Sequence, residues 1–261
     1  MIDPAVVAVM FALGLLLGFV GLGGAGFIAA LLIIFFNVPV HLAFGTALGA
    51  MFAASASGGW SHLREGNVEP VIAVQVGLTG IAGAYIGSTI ALATGATELK
   101  TFAGLTLMLN SVMLFIRTRA GSRWVRETTS SPRTLAERWW SEFASSSLIG
   151  LITGVVTGFL SIGAAPWIQL GLMILKGTGL RITIGTTMLA LALQSLTGAT
   201  RFALAGHFDA WLLAGVVLGV SAGTFVGAKF TRRAPRWLVR YALLLTPVTS
   251  GALLVFGPGG S

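Results

Sequence analysis

The sequence predicts an all-α polytopic membrane protein built from two copies of one unit, and three observations carry this. Only 9% of the 261 residues are charged against 55% hydrophobic, a balance foreign to a water-soluble domain of this length. The apolar residues gather in long segments, 5–36, 40–61, 70–93, 99–116, 144–175, 182–200, 210–228 and 241–256, most of them near the ~20 residues that cross a bilayer as a helix. Finally, Gly14, Gly18, Gly23, Gly45, Gly58, Gly66, Gly83 and Gly87 recur 140 residues later as Gly154, Gly158, Gly163, Gly185, Gly198, Gly206, Gly223 and Gly227. Phe19/Phe159, Thr46/Thr186 and Ser55/Ser195 fall on the same offset without a gap, whereas chance would align only about two glycine pairs. No alternating strand pattern is present, and in lipid the backbone must satisfy itself, so helices are favoured over a barrel.

The first segment of each repeat is too long for a simple crossing. Residues 5–36 and 144–175 would each form a helix of about 48 Å, against a hydrocarbon core of about 30 Å. Small residues interrupt both, Gly21-Leu22-Gly23-Gly24-Ala25-Gly26 in one and Ser161-Ile162-Gly163-Ala164-Ala165-Pro166 in the other. Each segment is expected to break there, either folding back as a re-entrant hairpin or continuing as a Z-shaped crossing. The next three segments of each repeat are ordinary spans. Residues 1–117 thus form membrane repeat 1 and 144–261 membrane repeat 2, joined by a basic linker, 118–143. Within it Gly121 to Ser131 reads as a Ser/Thr-rich connector. Arg133 to Phe143, with Leu135, Trp139, Trp140 and Phe143 beside Arg133, Glu137, Arg138 and Glu142, reads as a short interfacial helix.

Charge sets the topology. Arg117, Arg119, Arg123, Arg126, Arg133 and Arg138 place the central loop in the cytoplasm, with the loop holding Lys229, Arg232, Arg233 and Arg236 on the same side. The partner of the latter loop, 89–96, has no basic residue, and Arg64 pairs with Leu204, so corresponding loops differ in charge. That pattern predicts inverted repeats, which the hairpin permits and the Z-shaped crossing does not. Both termini then lie on the outer side of the membrane. Met1 to Pro4 carries an acid and lacks the basic start of a cleaved signal peptide.

Composition also excludes chemistry. The formal charge of +8 sits at segment ends rather than in a stripe with interleaved aromatics, so no nucleic-acid partner is expected. Cysteine is absent and the three histidines are scattered, which predicts no disulfide, no thiolate or histidine metal site and no cofactor. No Asp or Glu lies inside an apolar segment, which leaves ion coupling through a buried carboxylate without support and favours an anion as cargo. The expected partners are a small anionic substrate and the bilayer, and the glycine-rich faces are compatible with a homodimer.

The candidate site follows from the breaks. A helix restarting at mid-membrane presents unpaired N–H groups and a partial positive charge, so Gly23, Gly24, Ala25, Gly163, Ala164 and Ala165 outline an anion site shared by two half-helices. Pro166 suits the first turn of the second half-helix, where a missing N–H costs nothing. Thr46 and Thr186 open the following segments and could donate hydroxyls, although threonine in a helix also bonds back to the preceding turn. Gln194 is an amide in an apolar segment and needs partners. Arg201 is the one basic residue set within a span, either facing a polar cavity or snorkelling to the interface. The other glycine pairs serve helix packing. Ser55 and Ser57 with His62 or His207 raise an intramembrane serine hydrolase as a remote alternative, but Ser57 and His62 stand on divergent helix faces, so no catalytic residue is assigned.

Gly21-Leu22-Gly23-Gly24-Ala25-Gly26, then Phe44-Gly45-Thr46, then His62-Leu63-Arg64-Glu65-Gly66-Asn67-Val68 resemble the first repeat of the TauE/SafE sulfite exporter family, with the second repeat a degenerate copy. The likeness runs over nearly the whole chain. It implies a membrane transporter that exports sulfite or organosulfonates, working by alternating access between its repeats, with an anion channel of the same architecture as the alternative. Two departures stand out: Ala164-Ala165-Pro166 where such repeats keep more glycine, and His207 in place of the asparagine expected after Gly206.

Overall fold

The structure, a computed structural model, describes residues 3–20, 25–120, 135–162, 164–231, 248–252 and 254–256. Among these the regular structure is helical throughout: α1 Pro4–Val20, α2 Ala25–Phe36, α3 Val40–Arg64, α4 Pro70–Ala93, α5 Ala96–Ala120, α6 Leu135–Leu160, α7 Ala165–Lys176, α8 Leu180–Leu204 and α9 Ala210–Thr231, with further helix at 248–252 and 254–256. Among the described residues four stretches are long and apolar enough to cross a membrane, Val40–Arg64, Pro70–Ala93, Phe143–Leu160 and Arg181–Leu204. Phe102, Leu105, Leu109 and Val112 stand exposed along one face of α5, a surface that a bilayer covers.

The long first segment of the second repeat is broken where its small residues cluster. α1 and α2 flank 21–24, which lie outside the described residues, and α6 and α7 flank 161–164. In the second repeat the chain folds back. Lys176 Nζ donates to Ser145 Oγ at 2.5 Å, whereas a straight helix from 145 to 176 would separate them by about 46 Å. Gly171 of α7 also packs beside Ile149 of α6. The second repeat therefore opens on a hairpin and not on a Z-shaped crossing. One expectation is corrected: among the described residues 135–143 form no separate interfacial helix, because α6 starts at Leu135 and runs unbroken to Leu160. Neither glycine nor proline occurs between 135 and 149 to interrupt it.

The 140-residue offset is legible in the contacts. α1 packs along α9, and α6 along α4, so the first helix of each repeat lies against the fourth helix of the other. A Cβ placed on Gly14 would meet Val220 O at 2.5 Å, with Gly223 Cα and Thr224 N both at 3.0 Å. On Gly154 it would meet Gly80 O first, with Ala84 N at 2.9 Å, and residues 80 and 84 are the counterparts of 220 and 224. Gly83 likewise faces Leu151 O and Val155 N, and Gly223 faces Phe11 O and Leu15 N. In a membrane such close approach supplies the van der Waals contact that replaces a hydrophobic driving force.

The equivalent helices α3 and α8 run antiparallel. Gly45 sits against Phe202 and His207 O, Gly198 against Leu48, Gly59 against Leu189, and Gly185 against His62 and Asn67 O. Gly45 and Gly185 thus belong to this helix crossing. Gly66 and Gly206 instead end helices. With φ of 70° and 84° they occupy the left-handed region, and the following residues close the turns through Asn67 N to His62 O at 2.9 Å and His207 N to Phe202 O at 3.0 Å, the Schellman arrangement.

Candidate functional site

The second break is built around Thr157. Ser161 N continues the last helical turn to Thr157 O at 2.9 Å, and Ser161 then takes φ 52°, a rare conformation for a residue with a Cβ. After Ile162 and Gly163, which lies outside the described residues, Ala164 returns its N–H to Thr157 Oγ1 at 3.2 Å. The threonine thereby pins the far side of the break to the helix before it. α7 starts with Pro166 in its first turn and no side chain caps its N-terminus, leaving the positive end of its dipole directed at the break.

Thr157 also donates to Gln194 Oε1 at 3.2 Å, and Gln194 Nε2 donates to Thr153 Oγ1 at 3.2 Å. The amide is fully buried and couples α8 to the break one repeat-two helix away. On α5, Asn110 Oδ1 accepts from Trp167 Nε1 at 2.8 Å, so the start of α7 is fixed from that side too. The start of α2 approaches this break. A Cβ on Gly26, the second residue of α2, would meet Ile162 Cγ2 at 3.0 Å and the Leu107 side chain of α5. Ala25 beside it is buried. Gly23 and Gly24 lie outside the described residues.

The remaining candidates are dispersed. Thr46 is buried and its Oγ1 bonds back to Leu42 O at 2.8 Å. Thr186 Oγ1 accepts from Glu69 N at 3.0 Å, holding the residue that precedes α4. Thr46 lies level with Phe202, next to Gly45, while Thr186 comes sixteen residues earlier on α8, on the order of 24 Å away along the axis. The structure therefore does not bring the two threonines to one small ligand. Arg201 turns to the side of α4, with Nε donating to Thr89 Oγ1 at 3.2 Å and its guanidinium 5.4 Å from the centre of the exposed Tyr85 ring. Ala164 and Ala165 stand at the break with Thr157 and Gln194. Ser55 bonds back to Met51 O at 2.6 Å. Among the described residues neither Ser55 nor Ser57 hydrogen-bonds to a histidine, which removes the geometry a serine nucleophile needs.

Sequence reading missed two features. Thr153 and Thr157 stand four apart on α6, a spacing that puts them on one face, but their partner Gln194 is 41 and 37 residues on. His41, at the start of α3, stacks on His207 of the α8–α9 loop with ring centres 5.1 Å apart and reaches Ala91 O at 3.2 Å. Burial, and then the neighbouring His41, lower the His207 pKa below its ordinary value.

The description "Sulfite exporter TauE/SafE" matches residues 6–254. The chain is 36% identical over 251 residues to the "probable membrane transporter protein YdhB" of Bacillus subtilis (strain 168), covering 96% of this chain and 99% of that one. It is 28% identical over 229 residues to a "probable membrane transporter protein" of Xylella fastidiosa (strain 9a5c), covering 85% and 82%. A third relative, the "probable membrane transporter protein YunE" of Bacillus subtilis (strain 168), is 21% identical over 270 residues. No solved structure shows a significant match. With a family match across nearly the whole chain and relatives named as membrane transporters, this multi-pass helical protein belongs to the TauE/SafE sulfite exporter family.

Proposed function

We propose that the protein exports small sulfur oxyanions, sulfite or organosulfonates, across the bacterial inner membrane by alternating access between two inverted repeats. The observation that carries this reading is the second break. There the uncapped N-terminus of α7 meets the Thr157–Gln194 network, with no Asp or Glu in the apolar segments to repel an anion. Half-helix N-termini of this kind bind anionic groups in transporters. Inversion is supported by the antiparallel packing of α3 on its counterpart α8, since counterparts of parallel repeats would run the same way. The arginine-rich linker marks the cytoplasmic face; two hairpins then leave both termini in the periplasm.

The substrate is bound where the α7 amide dipoles and buried amide and hydroxyl groups converge, and rocking of one hairpin bundle against the other exposes it to either side. Proteoliposomes test this. Saturable flux of sulfite or a small sulfonate, stimulated by the same anion on the opposite side, is the expected result, together with thermal stabilisation of the purified protein by the anion. Neither flux nor stabilisation across a panel of oxyanions would reject the reading.

A further inference from the structure

The two repeats share their backbone plan but not the chemistry of their interiors. Buried among α4, α6, α7 and α8 are Ser146, Thr153, Thr157, Ser161, Thr187 and Gln194, none more than 3% exposed. Subtracting 140 turns these into Val6, Leu13, Leu17, Gly21, Ala47 and Ala54. Each of these six polar positions is apolar in the first repeat, whereas Thr186/Thr46 and Ser195/Ser55 are polar in both.

The polar residues also form a line. Ser146, Thr153 and Thr157 recur at intervals of seven and four, which keeps them on one face of α6, and Ser161 follows four residues on, just past the end of the helix in the break. Thr187 and Gln194 are seven apart on α8 and share a face in the same way. α6 and α8 both run parallel to α4, as the contacts of Gly154 with Gly80 and Ala84, of Gly80 with Gln194 and of Arg201 with Thr89 require. Since Gln194 meets Thr153 and Thr157, Ser146 and Thr187 both lie about 10 Å further toward the Lys176 end. That end holds Lys176, bonded to Ser145, and Arg181.

Hydroxyls in a membrane helix normally satisfy themselves on the carbonyl one turn back, as Ser55, Ser88 and Ser195 do here. Ser146 Oγ, Ser161 Oγ and Thr187 Oγ1 have no partner among the described residues although all three are fully buried. Buried donors in lipid need a partner from elsewhere. They stand at the base of the line and at its end in the break.

We propose that this line is a hydrophilic half-pathway for an oxyanion, leading from the Lys176 end of the second hairpin bundle to the break at Ser161–Ala164, and that the first bundle has no equivalent. The proposal rests on the transporter reading for its cargo, but its asymmetry is a separate claim. The repeats share a scaffold, and one of them carries the wet route.

The chain has no cysteine, so single cysteines can be introduced without preparing a background. Ser146→Cys and Thr187→Cys are compared with Val6→Cys and Ala47→Cys in membrane vesicles of both orientations, using a membrane-impermeant methanethiosulfonate reagent, with size-exclusion profiles showing that each variant is folded. Methanesulfonate, which does not react with the reagent, serves as the protecting anion. Ser146→Cys and Thr187→Cys should label at least tenfold faster than their counterparts, from the face of the arginine-rich linker, and methanesulfonate should slow them. Equal rates at the paired positions, or no labelling at Ser146→Cys and Thr187→Cys, would overturn the half-pathway even where flux persists. Labelling that methanesulfonate leaves unchanged would overturn its assignment to an oxyanion.

Discussion

Replacing Gly154 by alanine, and separately Gly14, tests whether the first helices of the two repeats are held by the same close crossing. The Cβ of Gly14→Ala would stand 2.5 Å from Val220 O and 3.0 Å from Thr224 N; that of Gly154→Ala would collide with Gly80 O and stand 2.9 Å from Ala84 N. A relaxed contact needs roughly 0.7–1 Å more, and a gap of that size forfeits a quarter to a half of each pair's dispersion energy along the seam. The atoms struck are backbone within helices, which cannot rotate aside, so each substitution should fall at the upper end of the overpacking range, about 2–3 kcal/mol. For a chain of this size that is a drop of about 4–12 °C in the unfolding midpoint, read by tryptophan fluorescence in detergent. Because the two sites repeat the same contacts, the losses should agree within about 1 kcal/mol. Two variants with unchanged midpoints, or one strongly destabilised and the other untouched, would refute the matched crossing.

Gln194→Leu severs two buried hydrogen bonds of about 0.6 kcal/mol each, so stability should fall by about 1 kcal/mol while sulfonate flux falls at least tenfold; unchanged flux would detach Gln194 from transport. Arg201→Gln should retain flux, because the guanidinium engages Thr89 and Tyr85 at the side of α4; lost flux at normal expression would reinstate it as a ligand. Trp167→Phe removes the 2.8 Å bond to Asn110 and should cost about 0.6–1.7 kcal/mol in the same melting assay. The lowered pKa of His207 means that the unfolded chain takes up the proton first. Its contribution to stability is complete above the ordinary value of 6.5 and declines as pH falls through the lowered folded-state value. His207→Asn, the residue at the matched position 67, should flatten the pH profile of the melting midpoint below 6.5; an unaltered profile would place the dependence elsewhere.

Local signals made much of the fold readable. α4 occupies Pro70–Ala93, the span expected from its apolar run, and the second break falls within its small-residue cluster. Partners were not readable, because they are set by contacts across the repeats. Nothing near Gly14 announces Gly223, and nothing near Thr186 announces the Glu69 amide it accepts from. The same holds at the site. Gln194 could be singled out as a buried amide in need of partners, but the threonines that satisfy it lie on another helix. The helix start at Leu135 was hidden by composition, since charged and tryptophan residues signal an interface whether or not the helix continues beyond it.

The exchange of hairpins between repeats sets a timetable for synthesis. α6 emerges after its partner α4 and can dock at once, as Gly154 against Gly80. α1 emerges first and its partner α9 nearly last. Between Gly14 and Gly223 the ribosome must add the intervening chain, which takes roughly 10–40 s at 5–20 residues per second. Throughout that interval the glycine groove of α1 faces lipid or an insertion chaperone, and mutations there would act first on biogenesis and only afterwards on the finished protein.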